Sequence, residues 1–312
     1  MSSDEHVPVL LGPVLEGLNI RENGVYVDGT FGRGGHSSAI LGLLGDNGRL
    51  IAIDRDPQAI ASAPRALTED SRFELIRSEI ADLEKTMGSR DLSGNVDGLL
   101  LDLGVSSPQL DEASRGFSFL RDGPLDMRMD PEKGVAAGDW LASVEEQELR
   151  RILKQYGEEA HARRVARAII VMRENTPIVR TTQLAEVVAA AVPAKTRGKR
   201  RHPATKTFQA IRIVINDELS QLEAALEQSL RVLKKGGRLC VISFHSLEDR
   251  IVKRFVRDHS REPEQYRGMP NIPVEFIPPL KTIGKLITAT DEEIAGNVRA
   301  RSARLRIAER VT

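Results

Sequence analysis

Apolar and polar positions alternate in two distinct rhythms along the chain. Short apolar runs occur at Val25-Tyr26-Val27, Arg49–Ile53, Phe73–Ile76 and Val96–Leu101, separated by stretches of helical spacing. Runs of this length between helices predict βαβ units and a parallel sheet buried on both faces. From about Gln109 to Gln209 the rhythm changes to loop and then helices, with no strand pattern. Ser143 with Glu146 reads as a capping box ahead of Leu149, Ile152 and Leu153, and Thr182 reads as the cap of Leu184–Val188. Val165, Ala168, Ile169 and Met172 form another helical stripe, and a long helical pattern runs from Thr205 to Leu233, with a break near Asn216. The strand rhythm returns in Arg238–Phe244 and in Ala303–Ala308. The expectation is an α/β sheet, residues 1–109 and 210–312, interrupted by a helical insertion over 110–209.

Chemistry enters at the first strand exit. Val25–Asp28 runs into Gly29-Thr30-Phe31-Gly32-Arg33-Gly34-Gly35-His36, where glycines permit a sharp turn with amide N–H groups facing a ligand. The next strand ends at Asp54, the place for a carboxylate that accepts from ribose hydroxyls. The spacing is not that of a P-loop, and it matches the dinucleotide pattern imperfectly. A dinucleotide and S-adenosylmethionine therefore both remain open on spacing alone. Asp102, ending a later strand, extends the row of groups at the sheet edge. His245 follows the Arg238–Phe244 strand at the same edge, either as a proton carrier or as a helix cap.

Composition narrows the class. The 312 residues carry 45 Lys+Arg against 45 Asp+Glu and 40% hydrophobic residues, which excludes a disordered chain and a wholly basic nucleic-acid coat. One cysteine, Cys240, fits a reducing compartment, and no secretory signal or membrane-spanning run is evident, so a cytoplasmic protein is expected. No metal site is expected. Charge is uneven locally: no acid lies between Glu186 and Asp217, while Lys195, Arg197, Lys199, Arg200, Arg201, Lys206 and Arg212 do. This stretch reads as a basic finger for phosphates, and Arg163, Arg164, Arg167 and Arg173 could extend it.

The stretches Asp102–Asp111, Arg115–Phe119, Asp122–Met129, His202–Thr205 and Ser243–Arg250 resemble the RsmH (MraW) family of bacterial ribosomal RNA methyltransferases, as do Asp28–His36 and Arg299–Ser302. The resemblance implies a class I (Rossmann-like) methyltransferase sheet with an inserted helical substrate-recognition domain. It also implies transfer of a methyl group from S-adenosylmethionine to the exocyclic N4 of a cytidine in the decoding region of 16S ribosomal RNA. The partner would be that RNA within the small subunit, with a homodimer left open. On the family pattern, Gly34, Gly35, His36, Asp54, Ile80, Asp102 and Gln109 would bind the cofactor, Ile80 replacing a position that is often aromatic. Asp102 is the first candidate proton acceptor, with His245 as a second. Phe117, Phe119 or Phe244 could stack the base. The competing reading is a ribosome-assembly factor that binds small-subunit RNA, with catalysis incidental.

Overall fold

The computed structural model describes residues 8–193, 202–266, 272–273 and 276–312. The chain divides into two compact units, Met1–Gly104 with Ser220–Thr312, and Val105–Leu219. The second begins earlier and ends later than the insertion expected over 110–209.

The first unit holds a seven-stranded sheet: β1 (Val25–Asp28), β2 (Arg49–Asp54), β3 (Phe73–Arg77), β4 (Val96–Asp102), β5 (Leu233–Ser243), β6 (Leu280–Thr288) and β7 (Arg304–Arg310). Their order is β3-β2-β1-β4-β5-β7-β6, with β7 antiparallel to both its neighbours and the pairs among β1 to β5 parallel. This is the sheet of Rossmann-like class I methyltransferases. Alternation along the strands divides the core cleanly. Val27, Ile51, Ile53, Leu99 and Leu101 face one hydrophobic cluster, while Tyr26, Leu50, Ala52 and Leu100 face the other. Both faces are dry, which is why these strands read as near-continuous apolar runs. Around the sheet lie α1 (Leu11–Leu18), α2 (Gly35–Leu41), α3 (Pro57–Ala61), α4 (Arg65–Thr68) and α5 (Leu83–Gly88).

The second unit is helical: α6 (Ser107–Asp111), α7 (Ala137–Ser143), α8 (Glu146–Gln155), α9 (Ala162–Asn175), α10 (Thr181–Ala191) and α11 (Thr205–Ile215). It has its own core, including Leu149, Ile152, Val165, Ile169, Leu184 and Ile211, all at most 2% exposed. Two expected caps are corrected. Ser143 is the last residue of α7, its hydroxyl donating back to the Asp139 and Trp140 carbonyls, so it caps nothing ahead of α8. Thr182 lies one residue inside α10 and donates to Asp122 Oδ1 at 2.6 Å; Gln183, accepting from the Arg180 N–H, closes the helix start instead. The break near Asn216 is present. Asp217 takes a left-handed φ of 49°, and Asn216 donates to the Met127 carbonyl and accepts from the Met129 N–H, both at 2.7 Å. The chain then enters α12 (Glu218–Val232), followed in the sheet unit by α13 (Ser246–Ser260) and α14 (Asp291–Gly296). No helix among the described residues is long and apolar enough to cross a membrane.

Candidate active site

β1 has β2 on one side and β4 on the other, so the chain leaves the sheet in opposite directions from adjacent strands. Ligands bind at such a switch point, outside the carboxyl ends of the strands. The glycine loop leaves β1 there, and Asp102 ends β4 there.

The loop is shaped by backbone demands. Gly34, the residue before α2, has φ 75°, and a Cβ on it would lie 2.8 Å from Leu67 and from the Phe31 ring. Only glycine meets both conditions at once. Asp28 holds the loop from below. It is 1% exposed, accepting from the Thr30 N–H at 3.1 Å and the Ser37 hydroxyl at 2.7 Å. Thr30 in turn accepts the Asp102 N–H at 2.6 Å, tying the β1 loop to the end of β4.

Asp54 Oδ2 accepts from the Gly32 N–H and Oδ1 from the Asp56 N–H, each at 2.8 Å. A carboxylate has about four lone-pair sites, so each oxygen keeps one for a ligand hydroxyl. Capping of α3, an alternative use for Asp54, falls to Asp56, which accepts from the Gln58 N–H. Burial pushes both Asp28 and Asp54 up to about 6.

His36 and Asp102 meet across 66 positions of sequence. His36 Nε2 lies 3.1 Å from the Val9 carbonyl, which can only accept, so the ring carries its proton on Nε2. That leaves the Nδ1 lone pair facing Asp102 Oδ2 at 3.5 Å. An ionised carboxylate there would set lone pair against lone pair, so the contact favours a proton on Asp102. Burial, with the charges of Asp28 and Glu248, raises Asp102 well above the ordinary carboxylate range, and burial lowers His36 to about 4. About a quarter of the Asp102 side chain reaches solvent, yet Oδ1 is buried and accepts no hydrogen bond. A buried acceptor of this kind is costly unless a ligand completes it.

The other expected residues fall variously. Ile80 begins a 3-10 turn (Ile80–Asp82) after β3, its Cγ2 3.7 Å from where Gly29 would carry a Cβ, which puts an aliphatic surface beside the loop. His245 serves as a helix cap, one of its two expected roles. It is the N-cap of α13, with Nδ1 accepting the Glu248 N–H and Nε2 3.2 Å from Glu248 Oε1. Glu248 returns the bond, accepting from the Phe244 and His245 N–H groups. Gln109 lies in the helical unit, 5% exposed, its Oε1 accepting the Ser106 N–H to close the start of α6. Lys195, Arg197, Lys199, Arg200 and Arg201 lie outside the described residues. Lys206 donates to the Glu158 carbonyl at 2.7 Å. Arg212 is not a free cation, because Glu218 takes both its Nε and Nη2 at 2.7 Å. Arg304 and Arg306 are likewise held by Asp249. Sequence reasoning missed Asp28, Thr30 and Glu248 as parts of the site; only the position of Asp28 at a strand end hinted at one of them.

The donor set suits S-adenosylmethionine. Among the described residues no Lys or Arg side chain bonds to Asp28, Asp54 or Asp102. A buried cluster of carboxylates without cations of its own attracts a ligand that brings positive charge, as a sulfonium and an ammonium do. The pH dependence follows. Such a ligand binds the ionised carboxylates, so affinity is complete above about pH 6 and falls as Asp28 and Asp54 protonate. We expect calorimetry to find S-adenosylmethionine bound at least about tenfold more weakly at pH 5 than at pH 7.5. Equal affinity at both would contradict this electrostatic account. Folding responds with the opposite sign. Groups raised from 3.8 to about 6 contribute stability fully below 3.8 and lose it as pH rises through 6.

A family model described as the MraW methylase family matches residues 3–311. Among solved structures, the chain is similar to a candidate rRNA methylase of Clostridium thermocellum, at 14% identity and a TM-score of 0.45, covering 98% of this chain and 99% of that one. An rRNA methylase of Streptococcus thermophilus follows at 11% identity and 0.43, covering 96% and 95%. A precorrin-6y C5,15-methyltransferase of Geobacter metallireducens gives 10% and 0.42, covering 99% and 96%.

Proposed function

Because the chain belongs to the MraW methylase family and is a methyltransferase that uses S-adenosylmethionine, we propose that its acceptor is the exocyclic N4 of a cytidine in the decoding region of 16S ribosomal RNA. The observation that carries this reading is Asp102 Oδ1: a buried, unsatisfied acceptor at the switch point, suited to the N–H of an amine.

Gly34, Gly35 and the backbone of His36 would hold the cofactor beside the glycine loop, with Asp54 on its ribose and Ile80 against its adenine. When bound, S-adenosylmethionine supplies a methyl group on a cationic sulfur, so the reaction requires an aligned nucleophile and no covalent enzyme intermediate. The N4 lone pair of cytosine is delocalised into the ring, which makes the amine a poor nucleophile. The positive charge of the bound cofactor would favour the ionised form of Asp102 over the protonated form of the cofactor-free protein. Ionised, Asp102 Oδ1 accepts one N–H, draws electron density onto nitrogen and receives the proton as the new N–C bond forms and the S–CH3 bond breaks. The surroundings that raise Asp102 also make it a stronger base than a solvated carboxylate. The bond from the Asp102 N–H to Thr30 holds the backbone still while this happens. Phe244 is partly exposed, with its ring 3.4 Å from the Cβ position of Gly104. It supplies an aromatic platform for the extruded base. Phe119 is already packed against Phe208 and His202, and Phe117 is 5% exposed with Arg115 over its ring, so neither has a face to spare.

The test is to incubate the protein with methyl-labelled S-adenosylmethionine and small-subunit particles that lack the modification, then map the label by nuclease digestion. Label in a 16S fragment spanning the decoding region supports the proposal. Label confined to other RNA would contradict it.

A further inference from the structure

The helical unit carries a feature the transfer chemistry does not use. Between α9 and α10 runs an open groove of about 890 Å³. Its walls include Arg163, Arg164, Arg167, Val171, Met172 and Val187, and among the described residues no Asp or Glu lines it. The helix presents two different faces. Val165, Ala166, Ile169 and Ile170 are buried in the core of the unit, while Arg164, Arg167, Ala168, Val171 and Met172 recur at spacings of three and four on the groove side. Val171 is 42% exposed, so the apolar part of the groove is open to solvent.

The four arginines of α9 divide by their partners. Arg173 is committed inward, donating to the Leu141 and Val144 carbonyls at 2.6 Å, and Arg167 pairs with Glu146 at 3.0 Å. The side chains of Arg163 and Arg164 have no bonding partner among the described residues. Two adjacent uncompensated guanidiniums at one end and an apolar floor at the other match a nucleic-acid strand. The planar forks suit phosphates and stack on bases, and base faces cover apolar side chains. Arg164 and Val171 are seven residues apart, about 10 Å along the helix, so phosphate and base contacts can be made by neighbouring nucleotides.

We propose that this groove holds a single-stranded segment of the RNA substrate away from the target nucleotide, with Arg163 and Arg164 on its phosphates and Val171 and Met172 beneath its bases. The proposal rests on the reading of the chain as an RNA methyltransferase and adds a second, non-reacting interaction to it.

The double variant Arg163→Glu/Arg164→Glu in the full chain tests it. The probe is a fluorescent single-stranded oligonucleotide of decoding-region sequence, titrated over a range of salt concentrations, with S-adenosylmethionine affinity as a check that the variant is folded. Removing two phosphate contacts reduces the slope of log K against log salt by about 1.4, and affinity at low salt falls at least about tenfold. Arg163→Lys/Arg164→Lys, which keeps the charges, retains the slope. An unchanged slope and affinity in the Glu variant, with the wild-type protein binding RNA and methylating it, overturns the groove assignment and leaves the methyltransferase reading intact. If an acidic amphipathic peptide binds the wild-type groove and the Glu variant loses only that binding, the surface belongs to a protein partner and the proposal fails. Failure of the wild-type protein to bind or methylate any small-subunit RNA would remove the reading beneath it.

Discussion

Asp102→Asn is expected to lower methyl transfer at saturating cofactor and RNA by about a thousandfold, within the range for loss of a positioned general base. Asparagine keeps the shape but cannot receive a proton from the amine. Its amide nitrogen, turned toward His36, would donate to the Nδ1 lone pair that now lies 3.5 Å from Oδ2. The pairing is therefore preserved, and a neutral group replaces a carboxyl that is itself held neutral in the cofactor-free protein. Thermal stability should hold while turnover collapses. Single-turnover measurement with labelled cofactor, alongside a melting curve, reads both. Turnover within about threefold of wild type would remove Asp102 as the proton acceptor.

Asp54→Asn is expected to weaken S-adenosylmethionine binding by at least about a hundredfold, the scale for a partly buried carboxylate that no longer offers charged acceptors to two ribose hydroxyls. The effect on the cofactor-free protein is different in kind. Asp54 sits about two pH units above its ordinary value, so removing its charge at pH 7 relieves roughly 3 kcal/mol. Against this, one of the two backbone N–H groups it accepts, from Gly32 or Asp56, loses its acceptor, at about 1–3 kcal/mol. The two nearly cancel, and the melting temperature should stay within about 5 °C of wild type. Calorimetry on the folded variant gives the affinity directly. A large loss of stability with normal cofactor binding would make Asp54 a structural residue of the β2 exit.

Where local pattern decided structure, the sequence was readable. Four apolar runs became β1 to β4 because both faces of the sheet are covered, and the glycine loop with Asp54 was visible because strand ends and turn residues are local signals. β6 was not seen. As the edge strand it buries Leu280 and leaves most of its length exposed, so Lys281, Lys285 and Thr288 break any apolar rhythm. The caps assigned to Ser143 and Thr182 failed for other reasons: Ser143 falls inside α7 and bonds back to the Asp139 and Trp140 carbonyls, while Gln183 and Asp122 take the groups at the start of α10. Charge counting misjudged Arg212, whose neutralising partner Glu218 belongs to the next helix. The site's central feature was the least legible. His36 and Asp102 could each be marked as ligand-edge residues, but the carbonyl of Val9 that fixes the His36 tautomer has no sequence signature. Nor does the gathering of Asp28, Asp102 and Glu248 from three elements, which sets the charge environment of the acceptor.

The central claim concerns which atom receives the methyl group. The most direct measurement digests the labelled 16S ribosomal RNA to nucleosides and identifies the product by mass spectrometry against authentic standards. The account predicts N4-methylcytidine, formed by the wild-type protein and about a thousandfold more slowly with Asp102→Asn. Label on a ring nitrogen, a ring carbon or a ribose oxygen would contradict it, because an acceptor at Asp102 Oδ1 is fitted to an exocyclic amine.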